Sequence, residues 1–571
     1  MGRCLLLETC AFHRSDLPLP ALLNLGGGVT QPCTEIRFLS PIQTSHPGLP
    51  CWAFAPLFLS TMSPHEETPK QQHNTLEDLA KTFDVTSNGF LPAEAPLARI
   101  PDSYYEPWEA LARDLPRLLR EGKLRSAVED LPILDCSRLG PEPEWRRAYI
   151  ILTFFTHAYI WGGVTPSERL PPQVAVPVLA VSDHLDLPPA VTYAAANLWN
   201  FRTTGALQDA ASFSDLESLD CLLSFTGTPD ESWFYMISVA MECEGGKIVP
   251  TMLSAMERIL PPGANGAAEY AAVTTALEQL MACIRRVGHV LNRMHERCEP
   301  DVFYHAIRPF LAGSKNMQAA GLPRGVFYER GGGEGEWLRL RGGSNGQSSL
   351  IQFFDIVLGV EHSTTENQNS VAAQGRPGPP APPKAKQDAA VDEEPELPFH
   401  EEVREYMPGP HRRFLAHLRA LPSIRRFALE PFSATDDPLS AEKQLLRGTF
   451  EHATRVLGKF RNKHLQIVTR YIVVPSRKQQ QNQHKGSIGL AGVGTNVWRE
   501  PPQNPVAVPR GAGRRARRSP DVKATGAVDG HDRPKSETQL TGTGGTALMP
   551  FLKQVRDETL RAGRPDPVQL A

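Results

Sequence analysis

The chain is poor in cysteine and has no paired cysteine motif. Its 571 residues include nine cysteines, and none of them stands in a Cys-x-x-Cys spacing. An odd number of scattered cysteines argues against a disulfide framework, a zinc ribbon and an iron–sulfur cluster. A reducing compartment is therefore the better expectation.

The chain also lacks an excess of positive charge and a long apolar run. It has 60 Lys+Arg against 63 Asp+Glu, so it lacks the excess of positive charge that binding to a nucleic-acid phosphate backbone requires. The most apolar stretch, residues 149–161, is shorter than the ~20 residues that cross a bilayer, and the opening residues have no convincing signal peptide. These features predict a soluble, cytoplasmic monomer with neither nucleic acid nor membrane as a partner.

Several common catalytic motifs are missing. No GxGxxG opens a helix after a strand, and neither GxxxxGK[ST] nor HExxH nor a GxSxG elbow in strand context occurs. The glycine run at residues 331–335 has no lysine after it and no apparent strand before it, so we interpret it as a mobile turn. The usual nucleotide-binding, zinc-protease and hydrolase functions are thereby disfavoured.

The chain is instead rich in helical periodicity, which predicts an all-α fold. Apolar residues recur at three- and four-residue steps in several blocks. The blocks are residues 108–119, 147–161, 231–242, 266–298, 302–311, 348–361 and 441–471. A further helix is expected to start at Leu187, where two prolines follow in positions that a first helical turn tolerates.

Composition divides the chain into folded and unfolded parts. We expect a largely disordered N-terminal extension over residues 1–100, a small helical domain over 101–225 and a larger helical domain over 226–571. Two low-complexity inserts, a flexible linker at 363–396 and a disordered segment at 477–540, interrupt the larger domain. A basic run in the second insert fits a nuclear signal or a solvated loop, and we favour the loop.

One histidine stands out because it shares the apolar stripe of its helix. His464 lies between Phe460 and Ile467 at helical spacing, so its ring points into apolar surroundings. A core histidine bonded to a carbonyl is one interpretation. The other is a proximal ligand of haem iron, for which one neutral imidazole suffices, with Arg461 one turn earlier placed to meet a propionate.

Four further segments distinguish between these interpretations. They are PDVFYHAIRPFLAGSK from residue 300, RGGSNGQSSLIQFFD from 341, RNKHLQIVTRYIVVPS from 461 and TGTGGTALMPFLK from 541. Together and in this order they resemble the indoleamine 2,3-dioxygenase family, in the style of a fungal member. The resemblance runs from about residue 102 to 553, without the two inserts. Members of that family are all-helical, haem-dependent enzymes that open the pyrrole ring of tryptophan.

The resemblance implies a haem b site in the larger domain. His464 would be the axial iron ligand, Arg461 would meet the haem, and Asp355 would support Arg461 electrostatically. The distal side would be lined by small residues that leave room for dioxygen and substrate, namely Gly343, Ser344 and Asn345.

The resemblance also implies a substrate site. Arg308 would pair with the substrate carboxylate, because its planar fork suits bidentate recognition. Phe303 and Phe234 would clamp the indole, with Tyr193 on the same wall and Ser238 near the indole nitrogen. Arg308, Phe303 and Ser344 would act directly in catalysis. A mobile lid near the substrate ammonium group would consist of Gly544, Gly545 and Thr546.

The implied reaction is cleavage of the indole C2–C3 bond of L-tryptophan by dioxygen, giving N-formylkynurenine at the first step of the kynurenine pathway. An external electron donor would be needed to reduce ferric haem. Two alternatives stay open on the sequence alone. One is a haem-binding oxygen carrier or sensor on the same scaffold, and the other is a helical interaction protein without haem.

Overall fold

A computed structural model describes residues 76–204, 213–363, 399–485 and 548–565 of the chain. Helices dominate it, which confirms the predicted all-α class. The α-helices in chain order are α1 Leu76–Phe83, α2 Glu106–Arg120, α3 Leu124–Glu129, α4 Glu142–Trp161, α5 Pro172–Leu185, α6 Pro229–Gly246, α7 Val249–Glu257, α8 Ala267–Asn292, α9 Pro300–Val302, α10 Ser349–Val357, α11 Phe399–Glu402, α12 Gly409–Ala420, α13 Ile424–Leu429, α14 Ser440–Val468, α15 Val474–Lys485 and α16 Leu548–Ala562.

Tighter and wider turns extend several of these helices. Single 3₁₀ turns occupy Ser103–Tyr105, Cys136–Arg138, Leu216–Ser218, Arg293–Glu296, Arg308–Leu311, Gln318–Ala320, Asn345–Gln347 and Val403–Tyr406. Three π-helical turns occupy Ala194–Leu198, Phe303–Ile307 and Thr469–Val473. The helical blocks expected from periodicity are therefore present, and the last one continues through a π turn beyond its α-helical part.

The core forms around helices that are apolar on more than one face. In α4 every residue from Arg147 to Trp161 is buried, so this helix is enclosed by its neighbours, as its composition predicts. Its one buried cation, Arg147, pairs with buried Glu109 of α2 at 2.7 Å, which satisfies both charges. No helix of the described ranges is long and apolar enough to cross a membrane.

The long helices α8 and α14 pack against each other, and α16 packs against α14. Buried residues of α14 recur at the expected spacing, from Leu446 and Phe450 to Leu457 and Phe460. Because these helices run side by side, side chains of α14 and α16 reach a common interior space. This arrangement positions the site described below.

Five short strands lie at the edge of the helical body. They are β1 Arg169–Leu170, β2 Phe201–Thr203, β3 Leu219–Cys221, β4 Val326–Gly331 and β5 Glu334–Leu338. Strands β2 and β3 form an antiparallel pair, while β4 pairs with β1 in parallel and with β5 in antiparallel orientation. The glycine run is a turn, as expected, and it closes the β4–β5 hairpin. The interpretation that no strand precedes the run was therefore wrong. Val326 and Tyr328 are buried while Phe327 and Glu329 are half-buried, a short alternation.

The helix expected to start at Leu187 is absent, and this prediction was wrong. The segment is non-helical until Tyr193 and the π turn after it. Proline disfavours the helical conformation of the residue before it, and two prolines in succession remove two amide donors. Side chains satisfy the carbonyls: Tyr149 donates to the carbonyl of Pro188 at 2.7 Å, and Tyr328 donates to that of Pro189 at 2.8 Å.

The folded part begins earlier than the residue 101 expected from composition. Helix α1 is followed by Val85, Phe90 and Ile100, all of which are buried in the core. The described residues, all of which follow Gln71, form one compact unit, and the division at residue 225 stays a prediction. The first insert lies outside the described residues except for Ser363. The second insert begins inside α15, so residues 477–485 are helical and their expected disorder was wrong, while the rest of this insert lies outside the described residues.

Candidate functional site

A cavity opens between α6, α10, α11, α14 and α16. Its empty volume is about 1950 Å³ including the mouth. Its walls are mainly apolar, with a few polar and charged groups that are described one by one below.

Each of the three π turns of the described residues contributes to the cavity wall. Ala196 and Asn197 come from the first turn, Phe303 from the second, and Tyr471 and Ile472 from the third. A π turn widens a helix locally and redirects its side chains, which is why such turns are frequent at functional sites. Their coincidence at one cavity marks it as the functional centre of the fold.

His464 projects from α14 into this cavity, as expected from its place on the apolar stripe. Phe460, Ile467 and Val468 flank it and are buried. Burial, together with the nearby charge of Arg461, lowers the pKa of His464 to about 4. The imidazole is therefore neutral at physiological pH. It makes no hydrogen bond within the described ranges, so its ring nitrogens are available to a ligand.

Arg461 lies one turn before His464 and forms a buried ion pair with Asp355 of α10. The expected electrostatic contact between these residues is thus present. Burial by itself would raise the pKa of Asp355, but the charge of Arg461 and a hydrogen bond from His362 outweigh it and hold the pKa at about 2. The Nε atom of Arg461 is buried and has no hydrogen-bond partner in the described part of the chain. One donor next to His464 is therefore left over for a ligand.

Another part of the cavity lining is aromatic. The ring of Phe234, from α6, lies 4.9 Å from that of Phe303 at an angle of 53°. Tyr193 is buried beside them, and its hydroxyl donates to Glu242 Oε1 at 2.9 Å. Ser238 lines the same wall, one turn after Phe234. The predicted indole-binding residues therefore share one wall, although their clamping role stays a prediction.

Arg308 brings a cation to the edge of this wall. Its guanidinium carbon lies 5.6 Å from the centre of the Tyr304 ring, and burial lowers its pKa from the ordinary value. Arginine stays protonated despite such a shift, so a positive charge faces the cavity. An anionic group of a ligand finds a partner here.

The residues expected on the distal side also reach the cavity. Gly343, Ser344 and Asn345 contribute to its lining, and the Ser344 hydroxyl caps the following turn by accepting from the amide of Gly346 at 3.2 Å. A Cβ on Gly343 would lie 3.3 Å from the carbonyl oxygen of Val191, so a larger residue at position 343 would contact the Val191 backbone closely. The predicted lid, Gly544, Gly545 and Thr546, lies outside the described residues.

Two cavity residues were missed by the sequence analysis. Glu242 is buried, and burial raises its pKa to about 7. It follows Phe234 and Ser238 at intervals of four residues, and this spacing was a usable signal. His400 lies after the first insert, in a short segment with no periodicity, and nothing local marks it.

The donor set fits a haem. A neutral imidazole, an unsatisfied guanidinium donor one turn away and apolar walls are what an iron porphyrin with anionic propionates requires. Within the described ranges, His464 is well placed for the iron, and Arg461 for a propionate. The aromatic wall and Arg308 remain for a second, smaller ligand.

Comparison with known proteins agrees with this chemistry. The family model for indoleamine 2,3-dioxygenase matches residues 79–562. An indoleamine 2,3-dioxygenase of Saccharomyces cerevisiae is 38% identical over 86% of this chain and 96% of its own length. A 6-hydroxytryptophan 2,3-dioxygenase of Fusarium equiseti is 35% identical over 83% and 95%, and indoleamine 2,3-dioxygenase 1 of Rattus norvegicus is 30% identical over 82% and 91%.

Proposed function

We propose that this chain, which belongs to the indoleamine 2,3-dioxygenase family of haem-dependent enzymes, cleaves the indole C2–C3 bond of L-tryptophan. Both atoms of dioxygen enter the product, N-formylkynurenine. The observation that carries the proposal is one cavity whose lining brings together the neutral imidazole of His464, which makes no hydrogen bond within the described ranges, the cation Arg308 and the aromatic pair of Phe234 and Phe303.

His464 and Arg461 hold haem b in this proposal. The imidazole would bind the haem iron, and the Nε–H of Arg461, which has no partner in the described part of the chain, would bind a propionate while Asp355 pairs with the guanidinium. When bound, the haem supplies the iron that activates dioxygen. The apolar side chains around His464 exclude water, which keeps the imidazole neutral and the pocket dry.

The remaining residues orient the substrate. Arg308 receives the carboxylate, and Phe303 and Phe234, whose rings contact each other, pack against one face of the flat indole, with Tyr193 and Ser238 nearby in the cavity lining. Fixing the indole in one position lowers the entropic cost of the reaction, and this is the main contribution expected of the protein. Gly343, Ser344 and Asn345 leave space for the indole and dioxygen, and the lid role of Gly544, Gly545 and Thr546, which lie outside the described residues, stays a prediction.

The biological setting follows from the same proposal. N-formylkynurenine formation is the first step of the kynurenine pathway, which leads to nicotinamide nucleotides. We place the enzyme in the cytoplasm, as a monomer, with an external electron donor that would reduce the resting ferric haem.

The test is a turnover experiment with isotopic oxygen. Purified protein is reduced anaerobically, then mixed with L-tryptophan and ¹⁸O₂, and the product is identified by absorbance and mass. We expect a Soret band before the reaction and two ¹⁸O atoms in N-formylkynurenine after it. Protein that binds dioxygen without forming product would instead be an oxygen carrier, and protein without a Soret band would be a scaffold.

The substrate itself needs a separate comparison, because one relative is named for 6-hydroxytryptophan. L-tryptophan, D-tryptophan and 6-hydroxytryptophan are assayed side by side for kcat/KM. We expect L-tryptophan to be the best of the three. A higher kcat/KM for the hydroxylated substrate would reassign the chain to that specialised activity.

A further inference from the structure

A chain of buried titratable groups connects α16 to the part of the cavity that carries Arg461. Its central member is His362, just after α10. His362 Nδ1 lies 2.8 Å from Glu558 Oε2 on α16, and His362 Nε2 lies 3.3 Å from Asp355 Oδ2. Both ring nitrogens therefore face carboxylate oxygens. A neutral imidazole has only one N–H, whereas an imidazolium donates from both nitrogens, so this geometry fits the protonated ring.

The buried charges of the cluster balance only if His362 is protonated. The side chains of His362, Asp355 and Glu558 are 12%, 8% and 2% exposed, so water compensates a missing partner poorly. Two carboxylates then face two buried cations, His362 and Arg461. A third cation, Arg561, lies 3.8 Å from Glu558, but its side chain is 64% exposed and solvent screens its charge. Removing His362 leaves Glu558 with this exposed ion pair alone, which is destabilising because a buried carboxylate loses its buried cation.

Each of the four helices around His362 contributes a titratable or charged group to its surroundings. Asp355 comes from α10, Arg461 from α14, His400 from α11 and Glu558 from α16. The ring of His400 stacks on that of His362 at 3.7 Å and 9°. Burial, followed by the charge of His362, lowers the pKa of His400 to about 3, so this ring is neutral and packs against the imidazolium without repelling it.

The same cluster fixes one wall of the cavity. Helix α16 contributes Phe551, Leu552 and Val555 to the lining, and Glu558 follows Val555 by three residues on the same side of the helix. The second oxygen of Glu558 accepts from the amide and the hydroxyl of Ser363 at 3.1 and 2.7 Å. The segment after α10 therefore binds α16 through Glu558, and α10 itself binds Arg461 through Asp355.

We propose that His362 is a positioning residue: by bridging Asp355 and Glu558, it keeps α16 against the cavity and directs Arg461 towards the cofactor. The cofactor side of this inference rests on the function proposed above. The attachment of α16 does not, because it involves only groups that the chain itself supplies.

The bridge has a defined pH dependence. Burial by itself would lower the pKa of His362, but hydrogen bonds to Asp355 and Glu558 raise it above the ordinary 6.5. A histidine whose pKa is raised in the folded state stabilises the fold fully below its unfolded pKa and loses this contribution as the pH rises through the folded value. We expect α16 to be held tightly at pH 6 and more loosely at alkaline pH.

The first experiment measures amide hydrogen exchange of α16 in the full-length chain, corrected for the intrinsic rate at each pH. In H362Q at pH 6 we expect exchange about tenfold or more faster than in the wild type, because a buried carboxylate loses its partner. In the wild type, protection should fall towards that of the variant between pH 6 and pH 9. Equal protection of H362Q and wild type at pH 6 would overturn the proposal.

A matched control and a rescue separate charge from packing. His184 is also bonded to a carboxylate, Glu142, and stacked on a ring, Trp145, but at the surface, so H184Q should leave α16 unchanged. The double variant H362Q/E558Q removes the buried negative charge together with the cation. It should regain most of the protection and lose the pH dependence. If α16 in the double variant exchanged as fast as in H362Q, the charge bridge would be rejected.

The cofactor side is tested by the rate of haem transfer to excess apomyoglobin. H362Q should lose haem about tenfold faster than wild type at pH 6, while H184Q should not differ. Loosening of α16 without faster haem loss would refute the effect on Arg461. Wild-type protein that takes up no haem would refute the proposed function and this part of the inference together, whereas the exchange experiment would still decide whether His362 attaches α16.

Discussion

Replacing Glu242 with glutamine is expected to stabilise the protein above pH 7, although substitution of a buried polar residue usually destabilises. One carboxyl oxygen, Oε1, accepts from the hydroxyls of Tyr193 and Ser348 at 2.9 and 2.6 Å. The other, Oε2, is buried and has no partner among the residues that the structure describes. A glutamine can keep both acceptor contacts through its own carbonyl oxygen.

The magnitude follows from the pKa of Glu242, which burial raises from 4.5 to about 7. Between pH 4.5 and about pH 7, Glu242 keeps its proton in the folded protein but releases it in the unfolded chain. The free energy of unfolding therefore falls as the pH rises. A shift of this size corresponds to roughly 3 kcal/mol, and water entering the cavity reduces the effect to ~2 kcal/mol. Glutamine does not ionise and avoids this loss.

Urea denaturation at pH 5.5 and pH 8.5, followed by circular dichroism, measures the effect. At pH 8.5, E242Q should be more stable than wild type by ~2 kcal/mol, and at pH 5.5, one unit above the ordinary pKa of 4.5, the difference should shrink to about 1 kcal/mol. Equal destabilisation at both pH values would refute the reasoning, because it would mean that the fold needs an ionised carboxylate at this position.

Glu231 on the same helix provides the matched comparison. It is also buried with a raised pKa, but each of its oxygens has a partner. They accept from the amides of Phe225 and Thr226 at 2.8 and 2.7 Å and from the Tyr235 hydroxyl at 2.9 Å. Glutamine would set an NH₂ group against a backbone N–H, so E231Q should destabilise by about 1–3 kcal/mol at both pH values.

Three further predictions concern the proposed haem and substrate sites. H464A should abolish stable haem retention, measured by the Soret band, while H452A on an exposed part of the same helix should keep it. In the wild type, haem should stay bound at neutral pH and be released only as the pH falls through about 4, the pKa of His464, because a protonated imidazole cannot bind iron. R308K should keep haem but raise the KM for L-tryptophan about tenfold, since lysine cannot offer a bidentate fork; an unchanged KM would assign the carboxylate to another cation. D355N should lower the free energy of unfolding by about 3–5 kcal/mol at pH 7 in urea titrations, because Arg461 loses its buried partner, and a change below about 1 kcal/mol would contradict this.

Local patterns in the sequence were enough for α2, α4, α6, α8, α10 and α14 and for part of the site, whereas α5, α12 and α16 were not predicted. The stripe from Phe460 to Ile467 already places His464 in an apolar interior, because the 3.6-residue period decides which side chains share a face. The same period places Phe234 and Ser238 together and, read one step further, includes Glu242. Periodicity therefore predicts which residues of one helix face the cavity, while the chemical roles came from the resemblance to a family.

Contacts between distant segments could not be predicted in this way. His362 and Glu558 are 196 residues apart with an insert between them, and neither has a neighbour that marks it. The same holds for Pro188 and Pro189, whose carbonyls are satisfied by tyrosines from α4 and β4. In both cases tertiary hydrogen bonds decide the local structure, and no short sequence window contains both partners.

The electrostatics of the cavity explain why these distant contacts matter for the proposed chemistry. A haem with its propionates and an amino acid substrate both bring carboxylates into one space, and an ionised protein carboxylate there would repel them. Glu242 avoids this repulsion because burial keeps much of it protonated near neutral pH. Asp355 avoids it because Arg461 and His362 neutralise its charge. The attachment of α16 through His362 is thus part of the same balance that leaves Arg308 to attract a substrate carboxylate.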